Sequence, residues 1–130
     1  MRKLPPIYCA FTLLIVMINA CSSPRDCQKF KNGKFRTTVR GFSTIIERTG
    51  AIQHEFTQDS TVHVSYMVTW IDDCSFTLKP NKDFFDQYKN IPENALIFVT
   101  ITKVNDNSYE QTVKSDFMER EVIEEVVKID

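Results

Sequence analysis

The sequence predicts an all-β domain, an antiparallel up-and-down meander of seven or eight strands that closes into a small barrel. From about residue 27 onward the chain divides into short segments rich in Val, Ile, Thr, Phe and Tyr, separated by clusters of Gly, Asn, Asp and Ser, the residue usage of strands and turns. Within those segments apolar and polar residues alternate with the period of two that a half-buried strand requires. Cations crowd residues 25–48 and acids crowd residues 116–130. In an up-and-down barrel the first and last strands are neighbours, so these charges would pair across the seam.

The elements follow in order. A first strand is expected around residues 30–39. Phe42, Thr44 and Ile46 share the inner face of the next, which turns at Arg48, Thr49 and Gly50, with Gly50 suited to a left-handed turn position. Ile52, His54 and Phe56 form the apolar face of a third strand, and Val62, Val64, Tyr66, Val68 and Trp70 that of a fourth. If the apolar faces coincide across a turn at Gln58, Asp59 and Ser60, Phe56 lies opposite Val62, His54 opposite Val64 and Ile52 opposite Tyr66. Asp72 and Asp73 mark a further turn, since Asp bonds its own backbone there, and Phe76 and Leu78 belong to a fifth strand. Residues 79–94, with Pro80 and Pro92 bracketing Phe84, Phe85 and Tyr88, read as a loop or a single helical turn folded over the sheet. Strands over residues 96–104 and 109–114 follow, the latter alternating Tyr109, Gln111 and Val113. The last segment, residues 119–130, has apolar residues at helical spacing but is rich in β-branched side chains, which favours a strand.

The chain has 130 residues, 42% hydrophobic and 25% charged, with three Gly and five Pro, which fits one globular domain and excludes a collagen-like or wholly disordered protein. A formal net charge of −1 provides no global field for nucleic acid. Arg2 and Lys3 precede an apolar run, residues 7–18, that is too short for the ~20 residues of a membrane-spanning helix and has the pattern of a signal peptide. Ile18, Asn19, Ala20 and Cys21 resemble a bacterial lipobox, so residues 1–20 are expected to be removed and Cys21 to carry lipid. Several acyl chains would anchor the chain stably where one would not. Ser22 after the Cys points to the outer membrane, the alternative being a plain secretory signal with an incidental Cys; residues 21–26 then form a tether and residues 27–130 the domain. The remaining cysteines, Cys27 and Cys74, would form a disulfide in an oxidising periplasm or else stay as two separate thiols.

Few residues suggest chemistry. His54, on the expected inner face, could be a polar contact in an apolar pocket or a histidine satisfied by Thr44. His63 is expected on the outer face opposite Glu55, and two histidines on opposite faces cannot share a metal, so no metal site is expected. Ser43, Ser65 and Ser75 lack a nucleophile elbow, and neither a glycine-rich phosphate loop nor a C-x-x-C pair is present, so no catalytic residue and no cofactor are expected. Phe84, Phe85 and Tyr88 could cover a barrel mouth, contact a protein, or simply pack on the sheet.

Cys27, the run Phe30-Lys31-Asn32-Gly33-Lys34-Phe35, Arg48 with Gln53, and the segment from Trp70 through Asp73-Cys74 to Phe76 and Leu78 together resemble a family of small uncharacterised lipoproteins of Bacteroidetes-type bacteria. Its pattern is a C-x-x-F-K-x-G-x-F opening, an R-x-x-x-x-Q strand and a W-x-x-D-C-x-Y-x-L segment; Phe76 stands where Tyr is usual. The resemblance implies a lipocalin-like fold and paired cysteines at Cys27 and Cys74. Chains of this kind sometimes bear a topoisomerase-subunit label, which an exported domain of this size without a basic surface does not support. The resulting expectation is a lipid-anchored outer-membrane protein facing the periplasm and acting as a non-catalytic binding module. A small apolar ligand would lie against His54, Ile52, Phe56, Tyr66 and Trp70. The alternative is a solidly packed barrel that docks an envelope protein.

Overall fold

A computed structural model describes residues 26–130. The expected signal segment, the lipidation site Cys21 and the tether up to residue 25 lie outside the described residues. Eight antiparallel strands in sequence order close into a barrel: β1 (Gly33–Val39), β2 (Phe42–Thr49), β3 (Ile52–Thr57), β4 (His63–Trp70), β5 (Ser75–Pro80), β6 (Ile97–Val104), β7 (Ser108–Ser115) and β8 (Val122–Lys128). The one α-helix among the described residues, α1 (Lys82–Gln87), follows β5, and a 3₁₀ turn (Gln28–Phe30) precedes β1. The final segment is thus a strand, paired with both β7 and β1.

The first strand starts later than expected, because the disulfide between Cys27 and Cys74 and the turn after it fold residues 27–30 under the barrel. Phe30 packs there with its ring tilted against Tyr109, at 4.8 Å, and Phe35, at 6.4 Å. Gly33 makes the entry to β1 possible: φ is +143°, and a Cβ at this position would come within 3.1 Å of the Asp130 carbonyl. Arg40 and Gly41, both at positive φ, form the two-residue hairpin loop between β1 and β2. The β2–β3 turn is also shorter than expected, Gly50 and Ala51, with Thr49 opposite Ile52. Ile46 and Arg48 are buried on the inner face of β2, whereas Phe42, expected inside, is 80% exposed at the rim.

The largest correction concerns β3 and β4. Phe56 lies opposite His63, His54 opposite Ser65 and Ile52 opposite Met67, one residue from the expected register. A one-residue change exchanges the faces of a strand. Ile52, His54 and Phe56 therefore point outward, and Gln53 and Glu55 point inward. The connecting loop is longer than three residues because Asp59 organises it, with Oδ1 accepting from Thr57 Oγ1, Thr61 Oγ1 and Thr61 N. Thr57 and Val62 close it through Thr57 N to Val62 O. Polar residues can occupy the interior of β3 because partners wait there.

The seam is held by backbone pairing of β1 with β8 from Phe35 opposite Lys128 to Thr37 opposite Val126, and Thr37 Oγ1 donates to Glu125 O. Opposite charges do not pair across it among the described residues. The ion pairs found, Lys34–Glu47 and Lys114–Glu121, lie on β1–β2 and at the β7–β8 end, while Glu124 turns into the barrel.

Candidate functional site

One end of the barrel, the base, carries the disulfide, the 3₁₀ turn and a core of Phe30, Phe35, Ile46, Ile101, Tyr109 and Val126. A guanidinium is buried in it. Arg48 is 1% exposed and donates from Nε to Gln53 Oε1 (2.8 Å), from Nη1 to Phe30 O (2.7 Å) and from Nη2 to the Tyr109 hydroxyl (3.3 Å). Its carbon centre lies 4.6 Å from the Phe76 ring centroid and 5.1 Å from that of Phe35. Aromatic faces and oriented acceptors are what a desolvated planar cation needs. Trp70 sits partly buried at the same end, 4.6 Å from Phe76 with Lys31 over its ring.

The opposite end is covered in part by α1. Phe84 is buried against Tyr66, Phe85 and Tyr88 at 4.9–5.6 Å, and Tyr88 remains 43% exposed. The helix is fastened by Asp83, whose carboxylate accepts from Ser65 N and Oγ. Burial opposes its ionisation, but those hydrogen bonds prevail and hold its pKa below the usual carboxylate value.

Between the two ends lies an interior cavity of about 160 Å³. Its walls differ in character. Phe76 and Leu78 of β5, Ile97 and Val99 of β6 and Val113 of β7 are apolar; Gln53 and Glu55 of β3, Gln111 of β7 and Glu124 of β8 are polar, with Tyr66 between them. Gln53 Nε2 donates to Glu55 Oε1 at 2.9 Å, the Tyr66 hydroxyl reaches Glu55 Oε2 at 3.5 Å, and Gln111 Nε2 donates to Glu124 Oε1 at 2.6 Å. Gln111 Oε1 is buried and has no hydrogen-bond partner.

Desolvation is the main cause that raises the Glu55 pKa from 4.5 to about 7; the nearby Glu124 adds to it, and Gln53, Arg48 and Tyr66 oppose it. Burial and Glu55 raise Tyr66, and burial raises Tyr109 against the pull of Arg48. A raised carboxyl pKa means that between pH 4.5 and 7 the folded state keeps a proton that the unfolded chain releases. The contribution of Glu55 is therefore fullest below pH 4.5 and declines as pH rises through 7, by about 3 kcal/mol. Glu55→Gln should flatten the stability profile over that window and stabilise the protein above pH 7. Urea unfolding of both proteins between pH 4.5 and 8.5 checks this, and parallel profiles would contradict it.

Of the residues expected to line a ligand site, the structure brings Tyr66 to the cavity and places Trp70 below it. His54, Ile52 and Phe56 are on the outer surface. There His54 Nδ1 and His63 Nε2 are 2.9 Å apart and the His63 ring stacks on Phe56 at 4.6 Å, so the two histidines share a face after all. No group of three or more His, Cys, Asp or Glu suited to a metal occurs among the described residues. The interior polar residues were missed, although Gln111 between Tyr109 and Val113, and Glu124 between Val122 and Val126, occupy the apolar phase of their strands. No protein-family model, curated protein or solved structure matches the chain.

Proposed function

We propose that this protein is a non-catalytic binding module, lipid-anchored through Cys21 in the outer membrane and facing the periplasm, that holds a small ligand inside its barrel. The observation that carries the reading is the interior cavity, where an apolar wall faces convergent polar groups, the make-up of small-molecule sites. Its carboxylates are held in place by the Gln53 and Gln111 amides, an arrangement that positions charge for recognition. The disulfide supports an oxidising compartment. At this size the ligand would be much smaller than a lipid.

The test compares native and denatured masses of the full chain extracted from its own membranes. A non-covalent excess in the native mass supports the carrier reading, and its value begins to identify the ligand. Equal masses, apart from detergent, would favour a packed barrel that docks an envelope protein. Cys21→Ser should release the chain from membranes; continued association would overturn the anchor.

A further inference from the structure

We propose that the cavity binds a small organic cation, an amine whose nitrogen is held by Glu55, Glu124 and Gln111 while its carbon skeleton lies on the β5–β6 wall. The proposal rests on the reading of the barrel interior as a binding site and gives that site a ligand class.

The polar wall is rich in acceptors. Each carboxylate takes one hydrogen bond from a neighbouring amide, and Glu55 also takes the long contact from the Tyr66 hydroxyl; a carboxylate can accept more than these, and both line the cavity. Gln111 Oε1 adds a buried acceptor without a donor. Rotating that amide would not remove the need, because it would set the carbonyl oxygen against the Glu124 carboxylate and give up a 2.6 Å charge-assisted bond. Buried polar atoms left without partners are costly, and what this one lacks is an N–H.

Charge gives the second argument. Two carboxylates, Glu55 and Glu124, share the interior with one guanidinium, Arg48, whose donors are directed to Gln53, Phe30 and Tyr109 at the base. With both acids ionised, one negative charge is left without a counterion inside the barrel. A proton on Glu55 is one remedy, and a bound monocation is the other. A calcium ion suits the site less well, since it calls for six to eight oxygen ligands and the β5–β6 side offers Phe76, Leu78, Ile97 and Val99.

Size and wall chemistry complete the description. A cavity of about 150 Å³ accommodates benzene, so this cavity, at about 160 Å³, fits a skeleton of similar bulk. An alkyl or cyclic ammonium has a charged end for the acidic wall and hydrocarbon for the other.

The experiment is calorimetric titration of the full-length chain at pH 8 with piperidinium and with benzene, which match in bulk and differ in charge. Piperidinium is expected to bind saturably at one site and at least about tenfold more tightly than benzene, the value of one charged hydrogen bond. Glu124→Gln and Gln111→Met should each weaken piperidinium and leave benzene unaffected. Equal binding of the two probes would overturn the cation assignment while preserving the interior site. Binding of neither would overturn the site as well. The two-probe comparison on the unaltered chain decides even where a variant fails to fold.

Discussion

Replacing Arg48 by methionine should destabilise the protein by about 4 kcal/mol, because removal of one partner from a buried charged network leaves the rest unsatisfied. Methionine retains much of the bulk between Phe35 and Phe76. It cannot donate to Gln53 Oε1, Phe30 O or Tyr109 Oη, three acceptors that lie away from water. The loss should also depend on pH. Glu55, faced by Gln53, Tyr66, Glu124 and the more distant Arg48, is helped toward ionisation by that cation. Without Arg48 its proton is held more firmly, so the variant should lose more stability at pH 8 than at pH 5. Chemical denaturation at the two pH values measures both effects. A loss below about 1 kcal/mol at pH 8 would show that the guanidinium does not organise the base. Tyr109→Phe removes one acceptor and should cost about 1 kcal/mol.

Removing the disulfide, as Cys27→Ala with Cys74→Ala, should have an effect of similar size. Its cysteines are separated by 47 residues, and loop-closure entropy for such a span allows about 4 kcal/mol. The consequence is local as well as global. Cys27 is 0% exposed and begins the turn that carries Phe30 into the base, and the Phe30 carbonyl is an Arg48 acceptor. Hydrogen exchange should therefore accelerate first at the backbone of residues 28–31. The double-cysteine and Arg48→Met variants should also combine non-additively, since both loosen the same contact. Simple addition of their effects would indicate that the base segment stays seated without the bond.

The strands and their sequential antiparallel order were legible because alternation and turn residues act locally, and Cys27 and Cys74 form the expected disulfide. The β3 face was not. Alternation identifies two faces but not which one is inside, and the assumption that the more apolar set faces inward failed where Arg48 and Tyr66 give Gln53 and Glu55 partners. Those partners come from other strands, and of them only the Arg48–Gln53 pair left a local trace, as the R-x-x-x-x-Q spacing. The β3–β4 register depended in turn on how Asp59 bonds to Thr57 and Thr61, which widens the loop beyond its shortest form. Charge crowding at the two ends located the neighbouring strands correctly but not the partners of Glu121 and Glu124.

The β1–β8 seam has a consequence for how the chain reaches its native state. Thr37 and Glu125, bonded across it, are 88 positions apart, so closure waits for the last strand to arrive. Loop-closure entropy must be met before the contact gives any return, and folding on a scale of milliseconds to seconds is expected. Until then β1 and β7 are open edges, able to pair with another copy of the chain. A chain ending before β8 should therefore aggregate rather than persist as a smaller barrel, and whatever shields those edges must act before the final strand closes the sheet.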